Sequence, residues 1–225
     1  MDQSRSTEVS NMFTRIRGKY DQFNRLLSFG RDQKWRHELT SLVLSNGADS
    51  VLDLAAGTGD ITLMLQETGL TVTAADACAP MLELANEKGV QETVVCSAEN
   101  LPFDKASFDA VTIGWGYRNF SDRAKSLEEI LKVLKPGGWL YILECSQPLK
   151  PLRPFHHFYM ATLCPSVVSI LGGNAEAYRY LAESTAQFPD AETLASDIKK
   201  AGFEMIGWKH FGLGAIALHQ ARKPE

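Results

Sequence analysis

Short apolar runs alternate with amphipathic helical patterns from Ser50 onward. Each apolar run has the length of a buried strand, and the polar and apolar positions that follow it recur at helical spacing. The predicted strands are Ser50–Leu54, Thr71–Ala75, Thr93–Cys96, Ala110–Ile113 and Trp139–Leu143. The predicted helices between them are Thr62–Thr68, Met81–Lys88 and Ala124–Leu134. This alternation predicts an α/β fold with a doubly wound, mostly parallel sheet.

The two ends of the chain follow different patterns. Residues Phe13 to Leu44 are predicted to be helical, with an interruption near Ser28-Phe29-Gly30. The last third is predicted to contain the helices Arg153–Leu171, Ala175–Gln187 and Pro189–Ala201, followed by the strands Glu204–His210 and Ala215–Ala221. A short Gly-rich link joins these two strands, which predicts an antiparallel hairpin that brings the sheet to seven strands.

Composition narrows the class of protein. The 225 residues carry a formal net charge of −4, which argues against nucleic acid as a partner. No apolar run reaches the ~18 to 20 residues that span a bilayer, and the four separated cysteines suggest neither disulfides nor a zinc site. We expect a cytoplasmic protein with a disordered leader at residues 1–12. A single domain is then expected over 13–225, with a helical lid (13–45) and a helical insertion (152–188).

The segment Val51–Ile61 is the most informative in the chain. It reads Val-Leu-Asp-Leu-Ala-Ala-Gly-Thr-Gly-Asp-Ile, an apolar strand that passes through a small-residue loop into a helix. Backbone amides at the start of such a helix can contact a ligand directly. Dinucleotide folds have a third Gly where this chain has Asp60, and a carboxylate there would repel a pyrophosphate but attract an ammonium and a sulfonium. We therefore predict that Gly57, Thr58 and Gly59 bind S-adenosylmethionine (SAM). The hairpin at the end of the sheet supports a Rossmann-like SAM-methyltransferase fold by analogy.

Two further segments follow predicted strands where a nucleoside would lie. Asp76, with Ala77 after it, ends the second strand, and its carboxylate can accept both ribose hydroxyls. Ser97 and Ala98 follow the third strand, where Ser97 can bond the adenine edge and Ala98 leaves room for the ring. The alternative for each segment is an ordinary strand-end turn or polar loop.

The loop Gly114–Asn119 follows the fourth strand, on the edge of the sheet where ligands collect. Its two glycines let the backbone approach a ligand closely. Arg118 and Asn119 are placed to stabilise an oxygen that gains negative charge. The alternative is a helix-start loop in which Arg118 pairs with Asp122 on the surface.

Two helical segments offer candidate acids and bases. Tyr20 and Asp21 lie in the N-terminal helical region, which is either a lid that excludes water from the site or an ordinary packing helix. His156 and His157 are adjacent, and because neighbours on a helix point in different directions, at most one of them can face the site. No other side chain stands at metal-ligand spacing from this pair, so no metal site is predicted.

These segments together resemble the ubiquinone/menaquinone-biosynthesis C-methyltransferase family, from about Phe13 to the C-terminus. The most specific segments are Leu27-Ser28-Phe29-Gly30 and Tyr178–Ser184. The other segments that carry the resemblance are Tyr20-Asp21, Asn24, Trp35, Val51–Asp60, Ala98–Phe103, Arg118-Asn119, Val133–Gly138, Glu144 and Ala217–His219. The chain departs from the usual family pattern at Ala56, Ser97, Gly114-Trp115 and Cys145.

The resemblance implies SAM as cofactor and a prenylated quinol precursor as substrate, either demethylmenaquinol or a ubiquinol precursor. By motif position, Thr58, Asp76, Ser97, Ala98 and Gly114 fall where that family contacts SAM. The alternative functions are methylation of another small aromatic compound and a non-catalytic subunit with a SAM fold.

Methylation of a ring carbon sets a chemical requirement, because an aromatic carbon is a poor nucleophile. A neighbouring ring hydroxyl must lose its proton so that electron density reaches the carbon. We hypothesise that Arg118 and Asn119 stabilise the resulting oxyanion, and that Tyr20, Asp21 or His156 helps to remove the proton.

The apolar stretch Tyr159–Leu171 can be interpreted in two ways. It is either a buried core helix or a surface for the prenyl tail, in the form of a tunnel wall or a membrane-facing patch. A peripheral contact with the inner face of the membrane and a homodimer are therefore predictions that remain to be tested.

Overall fold

The structure of the chain, a computed structural model, describes Met12 and residues 20–225. The predicted leader lies outside the described residues except for Met12, as do residues 13–19 of the predicted lid. The strands are β1 (Ser50–Leu54), β2 (Thr71–Asp76), β3 (Thr93–Val95), β4 (Phe108–Gly114), β5 (Leu134–Cys145), β6 (Glu204–Phe211) and β7 (Ile216–Arg222). The helices from Tyr20 onward are α1 (Tyr20–Leu27), α2 (Arg31–Ser45), α3 (Asp60–Gln66), α4 (Ala79–Lys88), α5 (Arg123–Val133), α6 (Arg153–Phe158), α7 (Cys164–Ile170), α8 (Ala175–Gln187) and α9 (Ala191–Lys200).

The seven strands form one sheet in the order β3-β2-β1-β4-β5-β7-β6. The pairs among the first five strands are parallel, whereas β7 pairs antiparallel with both β5 and β6. The predicted fold class is therefore confirmed, including the C-terminal hairpin. Because β1, β2 and β4 run in the same direction, their carboxyl ends lie along one edge of the sheet.

The fifth strand is longer than its apolar run predicts. It begins at Leu134 rather than Trp139, and the register shifts so that Phe108 pairs with Leu134 while Ala110 pairs with Trp139. Gly137 lies in this bulge at φ 73°, a conformation that glycine adopts without steric cost. The residues between the predicted helix and the predicted strand therefore belong to β5 and contain a bulge.

Helices cover both faces of the sheet. On one face, Leu39 and Val43 of α2 and Leu65 of α3 are buried with side chains of the central strands. On the other face, Ile130 of α5 and Ile198 of α9 belong to a second buried cluster. Burial on both faces explains why the central strands read as continuous apolar runs.

The predicted insertion consists of three helices and a π-helical turn. The turn, Tyr159–Leu163, joins α6 to α7, and α8 packs against both the turn and α7. Within the described residues, no helix combines the length and the apolar character that crossing a bilayer requires.

Candidate active site

Two cavities lie side by side at the carboxyl ends of the central strands. The first, which we name the acidic cleft, has a volume of about 140 Å³ and is formed by the glycine loop and the ends of β2, β3 and β4. The second, the apolar pocket, has a volume of about 310 Å³ and lies between α1, α2 and the insertion. Arg36 and Trp115 line both cavities and therefore separate them.

Left-handed backbone conformations shape the loop between β1 and α3. Ala55, Gly57 and Gly59 have φ values of 58°, 58° and 79°. A Cβ on Gly59 would lie 2.6 Å from Val90 Cγ2, so this glycine allows α3 to pack closely against the end of α4. A Cβ on Gly57 would meet only Met81 Cε, at 3.7 Å. Gly57 and Thr58 line the cleft, whereas Gly59 packs against Val90 and Ala85 instead.

Asp76 stands at the end of β2 in the acidic cleft, with Ala77 beside it in the lining. Its Oδ2 accepts a hydrogen bond from the Gly57 amide (2.9 Å) and its Oδ1 accepts one from the Cys78 amide (2.8 Å). Burial raises the pKa of Asp76 above the usual value, against the effect of these hydrogen bonds. Because each carboxylate oxygen can accept a second hydrogen bond, Asp76 remains able to accept both hydroxyls of a ribose.

The charges around the acidic cleft match a cationic ligand better than a pyrophosphate. Within the described part of the chain, its lining contains four carboxylates and one guanidinium, contributed by Asp21, Asp60, Asp76, Glu99 and Arg36. The Asp60 carboxylate also faces Lys88 Nζ (3.1 Å) and Arg36 Nη2 (3.4 Å), so the acidity of the cleft does not rest on this one residue. The lining as a whole, rather than Asp60 alone, makes the cleft acidic. These residues fit SAM, which carries an ammonium, a sulfonium and one carboxylate.

Ser97 and Ala98 both line the cleft, but the Ser97 hydroxyl is already engaged. It donates to Glu99, whose other oxygen accepts from the Ser121 hydroxyl (2.8 Å) and the Asp122 amide (3.1 Å). Although burial alone would raise the pKa of Glu99, these hydrogen bonds lower it below the usual value. An adenine would therefore meet a Ser97–Glu99 unit rather than an isolated serine.

The two glycines after β4 serve packing as well as ligand access. A Cβ on Gly114 would overlap Cδ1 of Ile61, and a Cβ on Gly116 would overlap the Cβ of Ala55. Both glycines line the acidic cleft. Besides leaving backbone at the cleft, these glycines let β4 and the following loop approach α3 and the glycine loop.

Asp21, a predicted base, lies at the acidic cleft. The Thr58 hydroxyl donates to its Oδ1 (2.9 Å), and Lys88 Nζ lies 2.6 Å from its Oδ2. The start of α1 is thereby held against the glycine loop and the end of α4, as a lid would be. Tyr20 begins α1, and its side chain lies outside what the structure describes.

Arg118 is buried and does not pair with Asp122. Its Nη1 lies 2.8 Å from Oε1 of Glu144, the two side chains are 3% and 0% exposed, and Nη1 also donates to the Trp115 carbonyl. The backbone amide of Arg118 donates to Glu144 as well (3.1 Å). The surface alternative is therefore wrong, and Glu144 is a site residue whose role the sequence did not indicate.

Asn119 and His156 occupy different cavities. Asn119 lines the acidic cleft, and its Oδ1 accepts from the Tyr180 hydroxyl (3.0 Å), which itself belongs to the apolar pocket. His156 lines the apolar pocket, and burial lowers its pKa, with a smaller contribution from His157. The structure thus places Arg118 and His156 in one pocket, with Asn119 at the boundary through Tyr180.

Sequence reasoning also missed Arg36. The side chain belongs to α2, donates to Asp32, and stacks over the Trp115 ring with Cζ 4.8 Å from the ring centroid. Trp115 has a left-handed backbone (φ 56°), which is costly for a bulky side chain and occurs most often at functional sites. The only sequence signal was that Trp35, next to Arg36, belongs to the family segments.

Comparison with known proteins gives consistent results. A family model described as the ubiE/COQ5 methyltransferase family matches residues 1–223. A demethylmenaquinone methyltransferase of Clavibacter sepedonicus is 44% identical, covering 96% of this chain and 91% of its own length. A demethylmenaquinone methyltransferase of Thermus thermophilus is 40% identical (95% and 100%). The ubiquinone/menaquinone biosynthesis C-methyltransferase UbiE of Escherichia fergusonii is 38% identical (96% and 90%).

Solved structures with lower sequence identity share the fold. A SAM-dependent methyltransferase from Thermotoga maritima, described as a possible histamine N-methyltransferase, superposes with a TM-score of 0.67 at 20% identity, over 96% of this chain and 99% of its own. The [4+2]-cyclase SpnF superposes with a TM-score of 0.62 at 20% identity, over 83% and 80%. Since a cyclase and a methyltransferase have this fold, the fold alone does not identify the reaction.

Proposed function

The chain belongs to the ubiE/COQ5 methyltransferase family, and on that premise we propose that it methylates a ring carbon of a prenylated quinol precursor. It is a SAM-dependent methyltransferase, and SAM supplies an electrophilic methyl group on a sulfonium. The relatives' names point to demethylmenaquinol, with a ubiquinol precursor as a second acceptor. Gly57, Thr58, Asp76 and Ala98 would hold the cofactor in the acidic cleft.

The observation that supports this substrate class most directly is the apolar pocket beside the acidic cleft. Phe29, Trp35, Met160 and Leu181 contribute to its lining, which suits a ring with a hydrocarbon tail. Its boundary with the cleft is Trp115, so a ring against Trp115 would lie next to the cofactor. A fully soluble, highly polar acceptor would gain little from these walls.

The polar side chains in and beside the apolar pocket are suited to different steps of the proposed reaction. Arg118, held rigid by Glu144, can donate toward a ring oxygen that becomes negative, and Asn119 is oriented by Tyr180 at the boundary. His156 is the favoured base, because it lines the apolar pocket and burial lowers its pKa, which favours the neutral imidazole that can accept a proton. Asp21 is less suited to that task, since it lines the acidic cleft and is engaged by Lys88 and Thr58.

The substrate proposal is tested by methyl transfer in vitro. We expect the purified protein to transfer label from SAM to a ring carbon of short-chain demethylmenaquinol, while soluble catechols and simple phenols remain unlabelled. Cells that lack the protein should accumulate a demethylated quinone, identified by mass. Labelling of soluble phenols but not of demethylmenaquinol would contradict the proposal and favour a different aromatic acceptor.

We further propose that the insertion contacts the membrane that holds the prenylated substrate. Phe155, Phe158 and Ile170 are exposed large apolar side chains on this insertion. The insertion also lines the apolar pocket, so this surface would lead from the bilayer to the ring site. The homodimer stays a prediction from the sequence, to be decided by analytical ultracentrifugation.

A further inference from the structure

We propose that Arg36 and Asp60 form the subsite for the amino-acid end of SAM, with Arg36 binding its carboxylate and Asp60 its ammonium. The inference uses the cofactor and not the proposed quinol. Among the described side chains that line the acidic cleft, Arg36 is the single cation beside four carboxylates. A ligand with two positive charges and one carboxylate therefore has one lining side chain that matches its negative group.

Arg36 and Asp60 also have buried polar atoms without hydrogen-bond partners among the described residues. Arg36 is 6% exposed, and its Nε is buried without a hydrogen-bond partner among the described residues. Oδ2 of Asp60 is also buried and accepts no hydrogen bond there, although it lies 3.4 Å from Arg36 Nη2. Buried polar groups of this kind are costly unless a ligand or water satisfies them. A donor and an acceptor left open side by side are complementary to a zwitterionic amino acid.

The neighbours of Arg36 hold it ready for a carboxylate. Nη1 donates to Asp32, whose Oδ1 accepts from the Ser28 hydroxyl (2.7 Å) in the segment before α2. The guanidinium carbon lies over the Trp115 ring, 4.8 Å from its centroid. One edge of the guanidinium is thus fixed by Asp32, and the open Nε with its neighbouring Nη2 can form a two-point contact with a carboxylate. The carboxylate of the cofactor would then lie beside the wall of the apolar pocket.

Binding measurements without any acceptor test the assignment. Calorimetric titration with SAM and with decarboxylated SAM measures how much the carboxylate contributes to binding affinity, because the two ligands differ only in that group. We expect the wild-type protein to bind SAM about 10- to 100-fold more tightly than decarboxylated SAM, the range for hydrogen bonds to a charged group. In R36M this ratio should fall to about one, because the loss affects only the ligand that has the carboxylate.

Matched variants separate ligand recognition from folding. R36M leaves Asp32 buried without its cation, so D32N/R36M is the companion variant and should show the same loss of discrimination. R25M removes an exposed arginine of α1 that lines neither cavity, and it should keep the wild-type ratio. D60N should weaken both ligands alike, because both keep the ammonium. A ratio that stays at the wild-type value in R36M and D32N/R36M would overturn the proposal, as would a wild-type ratio near one.

Discussion

The Arg118–Glu144 ion pair bears on the stability of the fold and on the proposed chemistry. The pair is almost completely buried, and Glu144 also accepts hydrogen bonds from the backbone amides of Arg118 and Cys145. Burying two charges is favourable only when each is well satisfied, and removing one partner leaves the other uncompensated. The rigidity that this pair confers is what a group aimed at a developing oxyanion requires.

Replacing Arg118 by Ala should therefore have two separable effects. We expect turnover to fall by at least about 100-fold, while the Kd for SAM changes only a few-fold, because Arg118 lines the apolar pocket and not the acidic cleft. The free energy of unfolding should also fall by about 3 to 5 kcal/mol, the cost of an unpaired buried charge. R118A/E144Q should regain part of the stability but not the turnover. Turnover that recovers together with stability would contradict the catalytic role.

The buried carboxyl group of Asp53 should make the free energy of unfolding depend on pH. Burial raises its pKa from 3.8 to about 6, although Thr62 (2.6 Å) and Thr112 (2.8 Å) both donate to it. The folded protein thus binds this proton more tightly than the unfolded chain does. Its contribution to stability is present below the unfolded pKa and is lost as pH rises through about 6. We expect the unfolding free energy of wild type relative to D53N, measured in urea, to decline between about pH 4 and pH 6 and then stay level.

A second carboxylate provides the control for this titration. Asp109 has a pKa lowered to about 2, because hydrogen bonds from Lys135, Ser50 and Asp49 outweigh the effect of burial. Both of its protonation changes lie below about pH 4, so the stability of wild type relative to D109N should be nearly constant above that pH. A wild-type to D53N difference that is equally constant would show that Asp53 ionises normally in the folded protein.

At the scale of elements, glycines determine how closely α3 approaches the strands. The sequence suggested ligand access for Gly114, whereas the structure places its Cα against Ile61. G114A should destabilise the fold by about 1 to 3 kcal/mol, as overpacking does. I61V removes the overlapping Cδ1, so I61V/G114A should be more stable than G114A alone in thermal unfolding. Simple addition of the two single-variant costs would contradict this contact.

The sequence predicted those parts of the site whose signal is local. The small-residue loop after β1, the position of Asp76 at the end of β2 and the parallel strands follow from apolar runs that end in small or acidic residues, and the C-terminal hairpin follows from two strands that a short Gly-rich link joins. The Arg36–Asp60 and Arg118–Glu144 contacts were not predictable, since each joins residues of different elements after those elements have packed. The start of β5 was missed because a bulge with Pro and Gly reads locally as a turn.

At the scale of the whole molecule, the two cavities lie next to each other, and the insertion that lines the apolar pocket also carries exposed apolar side chains. The acidic cleft lies at the edge of the sheet, and the insertion places the apolar pocket beside it. Lys150 and Arg153, both exposed, lie just before the exposed Phe155 in the chain. Cations beside exposed aromatic side chains are the combination by which peripheral proteins bind anionic membranes. An acidic protein can therefore present a locally basic edge to a bilayer.

The exposed apolar side chains of the insertion should then determine partition onto lipid. Phe155, Phe158 and Ile170 are 75%, 56% and 83% exposed, and inserting each would contribute about 1 to 3 kcal/mol. F155S/F158S/I170S should therefore lose most binding to anionic vesicles in sedimentation, while methylation of a short-chain quinol without vesicles stays close to wild type. The matched control is I206S on β6, which removes a 53% exposed apolar residue outside the insertion and should sediment as wild type does. Equal vesicle binding by the triple variant and wild type would show that this surface does not contact the membrane.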